Sequence, residues 1–208
     1  MKNKKDLTVM LKETGILFAI TLIAGLVLGF VFELTKEPRR IQQENKIRQA
    51  CQAVFADAAE FAEREVSLTA QQAESFGAIG ITVGTVYQAL DESGAELGYV
   101  IQVTSSEGYG GNISLYMGMK NDGTLNGISI LEIAETPGLG MEAEDVLAPQ
   151  FENKQVESFT YTKTGAQDDA QIDAISGATK TTKAITSAVN VGLQFFKETL
   201  QEGGSNNE

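Results

Sequence analysis

Histidine is absent from this sequence, and cysteine occurs once, as Cys51, in 208 residues. Without histidine the chain cannot build a Ser-His-Asp triad or a histidine-ligated haem or metal centre. A single cysteine rules out an intrachain disulfide and a four-cysteine iron–sulfur cluster made by this chain alone. Any redox chemistry must therefore come from a bound organic cofactor or from partner proteins. We expect Cys51 to be a small buried apolar residue, with a site shared between subunits as the alternative.

Basic residues are also scarce. The chain has 16 Lys and Arg against 28 Asp and Glu, which gives a net charge of −12. Nucleic acid is not an expected partner, because phosphate backbones are bound by basic surfaces. The length is sufficient for one domain of ordinary size and a membrane segment.

Residues 15–32 contain no charged side chain, and eighteen such apolar residues are typical of a transmembrane helix. A cleaved signal peptide is the alternative, but the following segment, residues 33–40, is a poor cleavage site, so we expect a retained anchor. Lys and Arg flank the span on both sides, so their distribution gives no orientation. Gly25 and Gly29 form a GxxxG pair, which fits a helix-packing face and ordinary membrane-helix composition equally well.

The rest of the chain shows helical spacing first and strand patterns later. Pro38 can open a helix, and the apolar spacing predicts a linker helix over residues 38–66, followed by a loop over residues 67–80. Asp122-Gly123 lies between two β-rich runs and predicts a hairpin. The β-rich runs cover residues 81–90, 97–104, 112–119, 124–134 and 156–163.

Two helices complete an α+β fold, a short one near residues 141–149 and a long one near residues 178–200 that packs on an antiparallel sheet. The predicted organisation is an N-terminal segment 1–14, a transmembrane helix 15–34, a helical linker 35–80, an α+β domain 81–200 and a disordered tail 201–208.

One stretch near the C-terminus, residues 173–182, carries the clearest chemical pattern. Ser176, Gly177 and Ala178 are small, so a ligand could approach the backbone closely. Helical spacing follows, which predicts Ser176 as the N-cap and places Thr179 in the first turn, where free N–H groups favour an anion. Physical chemistry alone leaves two interpretations open, an ordinary helix cap and a phosphate site. A P-loop is excluded, because the chain has no Gly-x-x-x-x-Gly-Lys-Ser/Thr spacing.

The motif formed by Asp173, Ser176, Gly177, Ala178 and Thr179 resembles the flavinylation motif of the FMN-binding domain family. The resemblance implies that a flavin transferase takes FMN from FAD and esterifies its phosphate to Thr179, one FMN per chain.

A second segment, residues 135–140, is a tight loop in which Pro137-Gly138 is a turn signal. Its sequence, Glu-Thr-Pro-Gly-Leu-Gly, resembles a segment of the family formed by the G component of Rnf-type ion-translocating electron transport complexes. Residues 109–111, Tyr-Gly-Gly, and residues 150–151, Gln-Phe, resemble further segments of that family.

This resemblance implies a redox subunit without a complete activity of its own in a ferredoxin:NAD oxidoreductase. It implies membrane and peripheral partner subunits, and a bacterial cell membrane location with a cytoplasmic N-terminus and the FMN domain on the outer face. It implies no catalytic residue and no metal site. Glu135 would bond the flavin edge or cap a backbone group. The implied cofactor-binding residues are Thr179 as the covalent attachment point, with Tyr109, Gly110, Glu135, Thr136, Pro137, Gly138, Leu139, Gly140, Asp173, Ser176, Gly177, Ala178, Thr181 and Thr182.

Two other functions remain as alternatives. The C component of the sodium-pumping NADH:quinone reductase has similar features, but the loop at residues 135–140 favours the Rnf family. A membrane-anchored scaffold without a cofactor is the structural alternative, and a flavin colour that survives acid precipitation would distinguish a flavoprotein from it.

Overall fold

The computed structural model describes the backbone of residues 4–201 and the side chains of residues 9–201. Residues 1–3 of the predicted N-terminal segment and 202–208 of the predicted tail lie outside the described residues. The chain divides into two compact units, with the boundary between Asn45 and Lys46. The finer division expected from the sequence stays a prediction. The helices and strands in chain order are α1 (Lys4–Val54), β1 (Glu60–Arg64), α2 (Ala70–Ala78), β2 (Ile81–Leu90), β3 (Glu96–Ser105), β4 (Ile113–Lys120), β5 (Leu125–Glu132), α3 (Ala143–Val146), β6 (Thr160–Thr162), β7 (Gln171–Asp173) and α4 (Thr179–Phe195).

Most of α1 forms the first unit. From Val9 onward it contains an 18-residue window of mean hydropathy 2.6, none of which is buried in the protein. An apolar helix exposed on all sides suits a lipid surrounding, so α1 is a candidate membrane anchor. The prediction that Pro38 opens a separate helix is wrong, because Pro38 lies inside α1. Proline removes one backbone donor, and an exposed helix can leave the matching carbonyl to solvent.

The second unit is built on a five-stranded antiparallel sheet in the order β1-β2-β3-β4-β5. Strands β2 to β5 coincide within two residues at each end with four of the predicted β-rich runs. The predicted hairpin is confirmed: Gly123 has φ +87° and its N–H donates to the Lys120 carbonyl at 2.9 Å. The α+β class is therefore also confirmed.

Apolar layers cover both faces of this sheet. Helix α4 packs on one face, where Ile185 and Val189 are fully buried. The end of α1 covers the other face with Cys51 and Val54 against Tyr116. Strand β4 is buried over residues 113–119 for this reason. Burial raises the pKa of the Cys51 thiol to about 12, in agreement with the expected apolar role.

Three local predictions need correction, and the predicted short helix near residues 141–149 is found in a more detailed form. The linker helix ends at Val54, and β1 follows where helix was expected to residue 66. The predicted loop 67–80 contains α2, whose start has a capping box between Thr69 and Gln72. The predicted strand 156–163 shrinks to β6, which pairs in parallel with β7 outside the main sheet. The short helix near residues 141–149 is α3 with a 3-10 turn at each end.

Candidate functional site

The loop between β7 and α4 contains most of the predicted motif. Gly177 has φ +77°, a conformation that side chains other than glycine adopt at a cost. The residue at the N-cap position is Ala178, and no side chain among the described residues caps the helix. The prediction that Ser176 is the N-cap is therefore wrong; Ser176 is exposed and lies before the helix turn. The free N–H groups at the start of α4 remain available to an external anion.

Thr182 holds this loop from inside. Its side chain is fully buried, its Oγ1 accepts from the Ile175 N–H at 3.2 Å, and its hydroxyl donates to the Ala178 carbonyl at 3.0 Å. Both bonds fix the backbone that precedes α4. The predicted contact of Thr182 with a phosphate stays a prediction, and the structure gives this hydroxyl an internal role instead.

Thr179 is the first residue of α4 and is half-buried. Its hydroxyl makes no hydrogen bond to any described residue, unlike that of Thr182. The residues before and after it, Ala178 and Lys180, both line a cleft that they share with Tyr109 and Leu139. Thr179 therefore places a hydroxyl without a hydrogen bond to a described residue at the uncapped start of α4.

The loop at residues 135–140 forms the predicted tight turn. Gly138 has φ +73°, and the Leu139 N–H donates to the Thr136 carbonyl at 3.1 Å. Proline followed by a glycine with positive φ is the pattern of a type II turn. The turn brings the Leu139 side chain, 38% exposed, towards Gly177, where an added Cβ would lie 3.0 Å from Leu139 Cδ2.

Glu135 ties this loop to residues 108–111. Its carboxylate is buried, and Oε1 accepts from the Tyr109 N–H at 2.7 Å and from the Gly110 N–H at 3.4 Å. Of the two roles expected for Glu135, the structure shows the backbone cap. Gly110 lies so close to the Ala134 carbonyl that a side chain there would collide with it. The cap leaves the Tyr109 side chain 71% exposed at the rim.

These three segments enclose the cleft, which has a volume of about 360 Å³. Gly140 keeps it open near α4, since an added Cβ would lie 2.7 Å from Thr181 Oγ1. The lining residues, which define the cleft, are Tyr109, Glu135, Thr136, Leu139, Gly140, Gly177, Ala178, Lys180 and Thr181. The predicted residues that lie outside this lining are Gly110, Pro137, Gly138, Asp173, Ser176, Thr179 and Thr182.

Lys180 is the lining residue that the sequence interpretation missed. The signal was readable, because the first turn of a helix usually attracts acidic residues and α4 begins Thr-Lys-Thr-Thr. A larger groove of about 590 Å³ lies along the outer side of α4 near Asn190 and Gln194. None of the predicted site residues lines that groove, so we place the candidate site in the smaller cleft.

Asp173 is outside the cleft lining, and its hydrogen bonds support the loop. Its Oδ1 accepts from the Ala166 N–H at 2.8 Å. The Gln150 side chain accepts from the Asp173 N–H at 2.6 Å and donates to the Asp173 carbonyl at 3.2 Å. The pair therefore fixes the end of β7, from which the motif loop departs.

Comparison with known proteins finds a family model that matches this region. Residues 108–194 match the family model described as FMN-binding domain, which spans every loop of the cleft. The G component of the Na(+)-translocating ferredoxin:NAD(+) oxidoreductase complex of Acetobacterium woodii is 35% identical over 107 residues, 50% of this chain and 52% of that protein. The match thus spans about half the length of that relative.

Two further similarities extend the comparison. The G component of the ion-translocating oxidoreductase complex of Methanosarcina acetivorans is 26% identical over 204 residues, 98% of this chain and 100% of that protein. The crystal structure of Shewanella oneidensis NqrC aligns with a TM-score of 0.47 at 24% identity, covering 54% of this chain and 57% of that chain.

The residues present fit a flavin mononucleotide. Small-molecule sites are mostly apolar clefts of about 300–1,000 Å³ with a few directed polar groups, and the cleft has this size and character. The aromatic Tyr109 and the aliphatic Leu139 suit a flat ring. The uncapped start of α4 suits the phosphate, because no carboxylate of its first turn competes for the N–H groups.

Proposed function

We propose, since residues 108–194 match the FMN-binding domain family, that the chain is the membrane-anchored FMN subunit of an Rnf-type ion-translocating ferredoxin:NAD oxidoreductase. The observation that carries the proposal is the cleft, which unites the three segments singled out in the sequence and is lined by Ala178 and Lys180, the neighbours of Thr179. A scaffold protein has no need for such a cleft. The subunit relays electrons and depends on partner subunits for the complete reaction.

Thr179 is the residue that we propose to carry the cofactor. Its Oγ forms the new bond to phosphorus and loses its proton, while AMP is the leaving group when the flavin transferase uses FAD. The uncapped N–H groups of α4 would hold the phosphate oxygens, and Thr181 would add a hydroxyl from the cleft wall. FMN supplies the electron transfer when bound.

The remaining cleft residues position the ring and limit its contact with water. Glu135 fixes the loop that carries Tyr109, and the turn at Pro137-Gly138 presents Leu139. Gly140 and Gly177 leave room between these side chains and α4. The chain therefore contributes shape and a fixed anion site, and the electron carrier is the cofactor.

The location of the protein is part of the same proposal. Helix α1 anchors it in the bacterial cell membrane, with the N-terminus in the cytoplasm and the FMN domain on the outer face. The support is the apolar length of α1 and the named complex of the relatives. Reporter fusions at residues 5 and 205 test this orientation, and a cytoplasmic signal from the C-terminal fusion would refute it.

Peptide mass spectrometry tests the attachment. The full chain, produced together with a flavin transferase, should carry one FMN-sized adduct on Thr179. Thr179→Val removes the hydroxyl at little change in helix propensity, so it should abolish the adduct and leave the fold intact. Thr179→Ser should restore attachment at least partly. An adduct on Thr181 or Thr182, or covalent flavin fluorescence in Thr179→Val on a denaturing gel, would contradict the proposal.

A further inference from the structure

Lys180 lies at the second position of α4, in the wall of the cleft that the helix start forms. Its side chain is exposed and makes no ion pair or hydrogen bond with a described residue, whereas Lys154 and Lys197 each pair with a carboxylate. A lysine side chain is a flexible stem with a point charge at its end, so the ammonium can reach over the opening beside Tyr109 and Leu139.

The two charged residues of the cleft lining differ in whether they have hydrogen-bond partners among the described residues. Glu135 is the other charged residue in the lining, and its carboxylate is buried and turned towards the N–H groups of Tyr109 and Gly110. The Lys180 ammonium has no such internal partner among the described residues. A new negative charge in the cleft would therefore meet the cation of Lys180 on the α4 side, while the Glu135 carboxylate is held by two backbone donors away from the opening.

The position of this cation is unfavourable for the helix itself. The N-terminal end of a helix carries a partial positive charge, so a lysine in the first turn opposes it. Lys183 lies in the next turn of α4, is exposed, and is absent from the cleft lining. The two lysines share the same helix end, and only Lys180 reaches the cleft.

We propose that Lys180 tunes the reduction potential of the flavin, with its ammonium stabilising the negative charge that the ring system gains on reduction. The inference rests on the proposed FMN site. Two-electron reduction with uptake of one proton leaves one negative charge on the ring system, and charge near the ring is a lever by which proteins tune flavins. Lys180 raises the potential, because its cation favours the reduced, negatively charged form over the oxidised, neutral one.

The test is a reductive titration of the flavinylated full chain in detergent, with dithionite as the electron source and a dye of known potential as reference. Lys180→Gln should lower the equilibrium constant for flavin reduction by at least about tenfold. For a two-electron couple this corresponds to a midpoint potential about 30 mV lower. Lys180→Arg keeps the charge and should retain the potential. Lys183→Gln removes the same charge outside the cleft and should leave the potential unchanged.

Two controls separate the possible outcomes. Flavin content, measured from absorbance and intact mass, shows whether attachment itself has changed. The shift in Lys180→Gln should shrink as salt is added, since exposed charges are screened. Equal potentials in wild type and Lys180→Gln, or an equal shift in Lys183→Gln, would overturn the inference. Loss of attachment in Lys180→Gln would also overturn it, in favour of a role in flavin transfer. A wild-type chain without covalent FMN would instead refute the proposed function.

Discussion

Among the described residues, Glu135 is the side chain whose hydrogen bonds join the two loops of the cleft, and its replacement removes them. The bond from the Tyr109 N–H is 2.7 Å long and ends on a carboxylate, and the bond from the Gly110 N–H is 3.4 Å long. Hydrogen bonds to charged groups contribute about 1.5–3 kcal/mol each, and the longer bond adds little. Glu135 Cγ also lies close to Gly140 and is lost in alanine, which keeps Cβ, and one buried methylene contributes about 0.8 kcal/mol. We therefore expect Glu135→Ala to lower the free energy of unfolding by about 2–4 kcal/mol.

Glu135→Gln keeps the shape and the methylenes and replaces the charged acceptor with a neutral one. A neutral hydrogen bond contributes about 0.5–1.5 kcal/mol, so this variant should lose about 1–2 kcal/mol. The exposed Glu142 provides the matched control, because surface substitutions usually change stability by less than about 0.5 kcal/mol.

The assay is urea unfolding of the full chain followed by circular dichroism, since the protein has no tryptophan. All variants should carry Thr179→Val, because bound flavin stabilises the folded state. Loss of flavin would otherwise lower the free energy of unfolding in the same way as loss of the Glu135 hydrogen bonds. The expected order of stability is Glu142→Ala, then Glu135→Gln, then Glu135→Ala. If Glu135→Ala is no less stable than Glu142→Ala, the hydrogen bonds of Glu135 do not hold the loops together.

Two further predictions concern the buried layers around the sheet. Thr182→Val leaves the Ile175 N–H without its acceptor and should lower the free energy of unfolding by about 1–3 kcal/mol. Thr186→Val loses only a bond to the Thr182 carbonyl and should lower it by less. Equal losses in urea unfolding would contradict the role of Thr182. Burial raises the pKa of Cys51 from 9.0 to about 12, so above pH 9 the unfolded thiol ionises first and stability falls by up to about 1.4 kcal/mol per pH unit. Cys51→Ala should remove this slope, and parallel curves for the two proteins between those pH values would refute the assignment.

The sequence predicted the central strands well because their signals are local. Alternating apolar residues and glycine-containing turns define β2 to β5, and Asp122-Gly123 gives the hairpin directly. Helix α2 was missed although Thr69 and Gln72 spell a capping box, because its surroundings have the composition of a loop. The sequence predicts a helix where β1 lies, because Phe61 and Ala62 continue the helical spacing of apolar residues although helix α1 itself ends at Val54.

Within the site, the sequence indicated the loops but could not assign the direction of each hydroxyl. Thr179, Thr181 and Thr182 are near neighbours in one helix turn, and only the packing of α4 on the sheet decides which of them is buried. The loss of a predicted cap at Ser176 has a similar origin: the helix begins later, at Thr179, after the turn at Gly177. A lysine in the first turn of α4 was the sequence signal for Lys180, but its place in the cleft depends on the neighbouring loops, which the sequence does not position.

A covalent link makes sense for a cleft of this kind on the proposed function. Tyr109 is mostly exposed and Leu139 partly so, and a ring held between them would keep one side open to solvent and accessible to a redox partner. Less of its surface would be buried than in an enclosed site, so we expect a free cofactor to bind weakly. A tether compensates, because a short link keeps the ring at an effective concentration of about millimolar or more without new contacts. It follows that Thr179→Val should bind added FMN only weakly, at high micromolar or millimolar concentrations. Tight, non-covalent retention of FMN through gel filtration by that variant would show that the cleft itself supplies the affinity.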